Sequence, residues 1–188
     1  MQQIHTNLPS GVLETPRMWL KELNPALMTT LFTSFSDEAI MQFLGLHLTE
    51  DLELEKHKFS EGLTMFSISF RHFLMIEKNT GNVIGRIGYR WWHVPHSRAE
   101  LGYAIYKEEN KGKGYMKEAI KAVVDHGFNT MGLNRVEAFI GTRNQPSIKL
   151  VEGLGFSREG LLREHYCNKG VIEDSLCYSL LKREYEAK

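Results

Sequence analysis

Two cysteines, five prolines and no excess of either charge already narrow what this 188-residue chain can be. A disulfide scaffold needs a far denser cysteine pattern. Cys167 and Cys177 flank a turn signal, Asn168-Lys169-Gly170. At strand rise a hairpin there would hold the two thiols roughly 20 Å apart, too far for a bridge. No Cys-x-x-Cys or His-x-x-x-His spacing accompanies them, so no metal site is expected. The chain reads as reduced and cytosolic. Lys plus Arg equals Asp plus Glu at 23 each, whereas a general nucleic-acid binder carries a basic excess or stripe. Even the densest basic stretch, residues 107–121, is broken by Glu108, Glu109 and Glu118. No apolar run approaches the roughly 20 residues that cross a bilayer. Residues 1–7 have neither the charged nor the apolar region of a signal peptide, and none is expected. Neither nucleic acid nor membrane is expected as a partner.

What is present is ordinary core material. Hydrophobic residues make up 42% of the chain and charged residues 24%, in a length suited to one domain. Residues 12–15 and 17–20 read as one strand, which Pro16 pushes to an edge. Residues 25–66 turn helical, with Asp37 as a cap and an exposed charged helix after Thr49. Strands follow over 70–77, 83–91 and 98–106, the first two joined by the hairpin signal Lys78-Asn79-Thr80-Gly81-Asn82. A helix over 115–128 carries Ala119, Ile120, Val123, Val124 and Phe128 on helical spacing. A buried strand over 135–140, a helix over 144–152 and a hairpin over 156–181 complete a mixed α/β domain. Residues 1–10 read as a loose extension.

The informative segment is Lys111-Gly112-Lys113-Gly114-Tyr115-Met116, between a strand and an amphipathic helix. Glycines at a helix entrance let backbone N–H groups converge, and with the positive end of the dipole they make a phosphate site. It is not a Walker loop, because neither Gly112-Lys113 nor Gly114 leads into Ser or Thr. It is not a dinucleotide fingerprint, because the third glycine position holds Lys117. Two glycines alone are weak evidence, and a tight flexible turn is the plain alternative.

The surrounding residues add weight. Glu100-Leu101-Gly102-Tyr103 precedes the loop and Glu118-Ala119 follows it. Downstream come Asn144-Gln145-Pro146-Ser147, then Gly153-Leu154-Gly155-Phe156 with Glu159-Gly160, and finally Asp174 with Tyr178-Ser179-Leu180. In order and spacing the chain resembles the GNAT N-acetyltransferase superfamily from about Leu13 to its C-terminus. Within it the chain resembles the Rim-type branch, which acetylates ribosomal-protein N-termini. The family's pyrophosphate signature aligns on Lys111, Gly112, Lys113, Gly114, Tyr115 and Met116. Lys111 stands where Gln or Arg is usual, Met116 where Gly or Ala is, and the loop before Gly112 is about one residue long.

The resemblance implies a single-domain, mostly antiparallel α/β sheet whose central strands splay apart, flanked by helices. It implies acetyl-CoA as co-substrate, no metal, and direct transfer to an amine in a ternary complex. The pantetheine arm would pair with freed backbone near Ala104 and Ile105, as an added strand does, and a backbone N–H at the splay would serve as oxyanion donor. Glu100 is the candidate base, since partial burial raises a carboxyl toward a useful pKa. Its structural alternative is an edge-strand charge paired with Arg98 or Arg90. The tyrosine that protonates the thiolate in many relatives falls on Val151, which leaves Ser147, or a water it holds, as the substitute; a helix cap is the alternative for Ser147. Asn144 is expected both to cap that helix and to bond the pantetheine amides.

Other residues carry less. Of Trp91 and Trp92, facing opposite ways, at least one should be core. His93 and His96 lack further ligands, and the methionines are core filler. The expected acceptor is a protein N-terminal amine, with a small amine (polyamine, amino sugar or amino acid) or a non-catalytic acyl-CoA-binding module as alternatives. The chain would be a monomer or homodimer.

Overall fold

The computed structural model describes residues 11–60, 68–168 and 170–187. The expected extension at 1–10 and the end of the first helical stretch lie outside these. The first predicted strand is in fact two. Strands β1 (Val12–Glu14) and β2 (Met18–Leu23) pair antiparallel around a tight turn. Pro16 sits in that turn, where Thr15 closes the chain on itself by accepting from Met18 N at 3.0 Å through its hydroxyl and donating to Met18 O through its amide at 3.0 Å. Proline cannot continue a ladder, so the chain reverses there instead of running on.

Three helices follow. Helix α1 (Pro25–Ser34) starts where Asn24 accepts from Leu27 N at 2.9 Å and Pro25 fits the first turn. Helix α2 (Asp37–Leu44) is capped by Ser36, one residue before the expected Asp37, which instead joins Glu38 in an acidic first turn. Gly45 ends it at φ 70°, with a would-be Cβ only 2.6 Å from Val83. Helix α3 (Thr49–Ser60) is charged, yet it buries Leu52 and Glu55.

The long strands β3 (Ile68–Glu77), β4 (Val83–His93) and β5 (Arg98–Ile105) form an antiparallel meander. Helix α4 (Tyr115–Asn129) then crosses to β6 (Arg135–Gly141), helix α5 (Gln145–Glu152) follows, and β7 (Ser157–Asn168) and β8 (Val171–Leu181) close the sheet before a short helix α6 (Lys182–Glu186). The order is β1-β2-β3-β4-β5-β6-β8-β7, and β5–β6 is the one parallel pair. Strand alternation sends Leu74 and Ile76 to the α1–α3 side with Leu31 and Phe43. Phe73 and Met75 go to the α4–α5 side with Leu101, Val123 and Val151. Two cores therefore sandwich one sheet. Both thiols are free, Cys167 facing Ile172 and Cys177 facing Gly160 across the hairpin.

Candidate active site

The glycine loop leaves β5 through a single 3-10 turn at Glu108–Asn110. Gly112 and Gly114 then take positive φ of 72° and 81°. Gly114 is the N-cap of α4 and offers no side chain to the helix start. The first bond of the helix runs from Glu118 N to Gly114 O, so the amides of Tyr115, Met116 and Lys117 have no partner among the described residues. Those amides, at the positive end of a 15-residue helix, are what an anion needs. Lys111 pairs with Glu108, and Tyr115 donates its hydroxyl to Glu77.

A clamp that the sequence did not reveal fixes this loop. Arg17 donates from Nη1 to Lys113 O at 3.0 Å, pairs through Nε with Glu118 at 2.7 Å, and lies 4.4 Å over the Tyr115 ring. Glu118 also accepts from Thr15 Oγ1 at 2.6 Å and Arg17 N at 2.9 Å. The β1–β2 turn is thereby tied to the first turn of α4.

Beside the loop the sheet opens. Strands β5 and β6 pair only at Arg98↔Arg135, Ala99↔Val136 and Glu100↔Glu137, and beyond them β5 runs on alone to Ile105. Tyr106 N donates to Ile84 O. By strand alternation Ala104 and Gly102 turn their backbones to β4, and Leu101, Tyr103 and Ile105 turn theirs into the gap. Of the two expected backbone contacts, Ile105 faces the gap and Ala104 is spent on Arg86 of β4.

On the far side of the gap lies a cleft of about 1040 Å³, lined by Arg90, Trp91, Glu100, Asn144, Tyr166 and Asp174 among others. Glu100 is not at an edge, since β5 is central. It is buried at 7% exposure, and Arg90 places both Nε (2.7 Å) and Nη2 (2.6 Å) on its Oε1. Its Oε2 has no hydrogen-bond partner among the described residues. Burial pushes the Glu100 carboxyl above its ordinary range, against the pull of Arg90. Arg98, the other suggested partner, pairs with Glu137 instead. Trp91 sits in a bulge at φ 50° and is exposed to the cleft, whereas Trp92 packs against the core and under Arg71. Asp174 is partly spent on accepting from Glu164 N at 2.8 Å.

Asn144 caps α5 by accepting from Ser147 N at 3.2 Å, so Ser147 is the third helical residue and not a cap. The Asn144 amide nitrogen has no partner among the described residues. Val151, four residues on from Ser147, is wholly buried in the core. A second feature escaped the sequence: the Tyr103 hydroxyl is buried without a hydrogen bond of ordinary geometry. Ser147 is its polar neighbour, and burial raises its pKa. The only signal was Tyr103's place in the Glu-Leu-Gly-Tyr run. On the α1–α3 side, His72 is held neutral by burial and by Arg86 and Arg90, its pKa lowered to about 3. The glycine loop lies apart from the cleft, which gathers Glu100 and Asn144, with Ser147 one turn behind. Among the described residues no cluster could hold a metal.

Residues 17–157 match the acetyltransferase (GNAT) domain family. The chain is 34% identical over 175 residues to p20 of Bacillus licheniformis, an N-acetyltransferase by name, covering 92% of this chain and 97% of that one. It is 34% identical over 108 residues to YdaF of Bacillus subtilis, provisionally named a ribosomal N-acetyltransferase, covering 57% and 58%. The spermidine/spermine N-acetyltransferase SpeG from Vibrio cholerae, solved in mutant form, shares the fold at TM-score 0.64 and 20% identity, covering 91% and 98%. An open sheet parted beside a glycine-entered helix, with this similarity along nearly its whole length, makes the chain a member of the GNAT family of N-acetyltransferases. It is an acyltransferase.

Proposed function

We propose that this enzyme moves the acetyl group of acetyl-CoA directly to the N-terminal amine of a protein or peptide. The observation that carries the choice of acceptor is the cleft. It is large, open and walled by Trp91 and Tyr166, and its charges are mixed: Glu100, Glu173 and Asp174 against Arg90 and Arg143. A polycation would be better served by an acidic pocket, whereas a polypeptide end with varied side chains needs room and both signs. Neither cysteine lines the cleft, which supports transfer without an acyl-enzyme.

Orphan amides at the entrance of α4 fit an acyl-CoA, which brings phosphates, amide groups and an activated acyl carbon. The amides of Tyr115, Met116 and Lys117, supported by Lys111 and Lys113, would receive the pyrophosphate above Gly112 and Gly114. Backbone groups of Leu101, Tyr103 and Ile105 would hold the pantetheine arm, with Ala104 as wall, and Asn144 would donate to one of its carbonyls through its free amide nitrogen. Glu100 Oε2 would take the proton of the acceptor amine, directly or through water, while Arg90 fixes the carboxylate. Ser147 would stand near the leaving sulfur.

A screen of thiol release from acetyl-CoA tests the acceptor. Acceptors would be ribosomal proteins, N-terminal peptides, spermidine and amino sugars. Peptide-dependent release is expected. Release that responds to spermidine and not to peptides would overturn the choice.

A further inference from the structure

A glycine on each side of Lys113 gives the loop a freedom that anion recognition cannot use. Glycine takes positive and negative φ about equally well, so the peptide unit joining Lys113 to Gly114 can rotate and aim its amide either way. One side chain removes that choice. Arg17 donates from Nη1 to Lys113 O at 3.0 Å. No peptide bond among the described residues is cis, and in a planar trans unit the C=O and N–H point in opposite directions. Holding the carbonyl toward Arg17 therefore turns the Gly114 N–H away from the clamp. That amide has no partner among the described residues.

Arg17 is fixed along its whole length. Its N donates to Glu118 Oε1 at 2.9 Å and its O accepts from Lys78 N at 3.0 Å. The guanidinium meets Glu118 Oε2 through Nε at 2.7 Å and lies 4.4 Å over the Tyr115 ring. This ion pair is open to solvent, its side chains 45% and 16% exposed, so it contributes little to stability. Its effect is local: it holds one carbonyl, and it offsets the negative charge that Glu118 brings to the first turn of α4.

We propose that Arg17, from the β1–β2 turn, is a positioning residue for the cofactor's pyrophosphate: by locking the 113–114 peptide it holds the Gly114 N–H as a donor alongside the α4 amides. The inference rests on the acetyl-CoA reading above. Arg17 acts through the Lys113 carbonyl and not on the reacting atoms. The planar fork of a guanidinium serves Glu118 and Lys113 O at once, whereas an ammonium is a point charge on a flexible stem. Lysine at this position would keep the ion pair and lose the hold on the carbonyl.

The test needs no acceptor. Arg17→Lys should melt within about 4 °C of the unaltered protein, because an exposed pair is worth little. Calorimetry should nevertheless show coenzyme A bound about tenfold or more weakly, the loss of one hydrogen bond to a charged group. In protein labelled with nitrogen-15 glycine, the Gly114 amide signal, assigned by its absence from Gly114→Ala, should shift when coenzyme A saturates the site. At equal saturation Arg17→Lys should show a much smaller shift. Arg17→Met combined with Glu118→Gln removes both charges, and its affinity should stay low. Recovery there would make charge balance, and not the lock, the role of Arg17, and would overturn the proposal. Unaltered affinity in Arg17→Lys would also overturn it, as would a Gly114 signal that stays still in the saturated unaltered protein. A melting temperature lowered by about 10 °C or more would make Arg17 a structural tie and sink the idea equally. Failure of coenzyme A to bind the unaltered protein would instead remove the cofactor reading, and this inference with it. Failure of the peptide screen alone would leave the role of Arg17 standing.

Discussion

Gly114 is where backbone conformation and ligand recognition can be separated by one substitution. Its φ of 81° lies in the left-handed region, and a Cβ there would stand 3.5 Å from Arg17 Nη2, an ordinary contact. Alanine therefore meets no clash, and its cost is that of the backbone, about 1–2 kcal/mol. For a chain of this size each kcal/mol moves the melting temperature by roughly 2–4 °C, so Gly114→Ala should melt about 2–8 °C lower. Gly112, at φ 72° with nothing within 4 Å of a built Cβ, should show the same loss and serves as the internal control. Valine at Gly114 is worse, since a β-branched residue hardly tolerates positive φ. The chain would relieve it by turning the N-cap toward an extended conformation, which swings the amides of Tyr115 and Met116 out of convergence. Each hydrogen bond from those amides to a charged phosphate contributes about 1.5–3 kcal/mol, so losing even one should weaken coenzyme A binding at least about tenfold. Calorimetry on the folded variant measures this. Normal affinity in Gly114→Val would refute the assignment of the phosphate site.

Glu100→Gln should lower turnover by about 10²–10⁴-fold and leave coenzyme A affinity unchanged. Because burial raises this carboxyl, the rate should climb with pH as Glu100 loses its proton. The variant's pH–rate profile should lack that limb, and unchanged turnover at neutral pH would make Glu100 structural. Ser147→Ala should leave the melting temperature alone, since Asn144 is the cap, and slow single-turnover transfer by up to about 10²-fold; a lower melting temperature with an unaltered rate would remove Ser147 from the chemistry. His72, neutral when folded down to about pH 3 but titrating near 6.5 when unfolded, contributes stability that is full above its unfolded pKa. That stability is lost as pH falls from there toward 3, by about 1.4 kcal/mol per unit. His72→Leu should flatten this part of the stability–pH curve, and an unchanged slope would show that other groups set it.

Helical periodicity located α4 because its burial is one-sided, while the central strands, covered on both faces, show up as continuous apolar runs such as Phe73-Leu74-Met75-Ile76. The spacing of Ala119, Ile120, Val123 and Val124 marks α4, and the glycines at 112 and 114, weak evidence alone, take positive φ at its entrance. What sequence could not show depends on contacts across long separations. The clamp of Arg17 on Glu118 joins residues 101 positions apart, and nothing local distinguishes this arginine from a surface one. The cap at Ser36 rather than Asp37 turned on a one-residue phase, since either side chain can accept a helix amide. For Glu100, the Arg90 partner was foreseeable from strand alternation, but its central position required the strand order. Tyr103 was legible only as part of a motif, and its burial beside Ser147 appears only when every neighbour is in place.

The early parting of β5 from β6 has a consequence for where this sheet keeps its unpaired margins. A sheet margin normally lies on the outside, where its unpaired amides invite foreign strands. Here an additional pair of margins is concealed in the middle of the sheet, between strands that are each firmly paired on their other side. Such a slot suits a thin chain carrying occasional amide groups. A polypeptide strand would need room for side chains on both faces. An interior margin flanked by paired strands on both sides is thereby shielded from the edge-to-edge pairing that an outer margin invites.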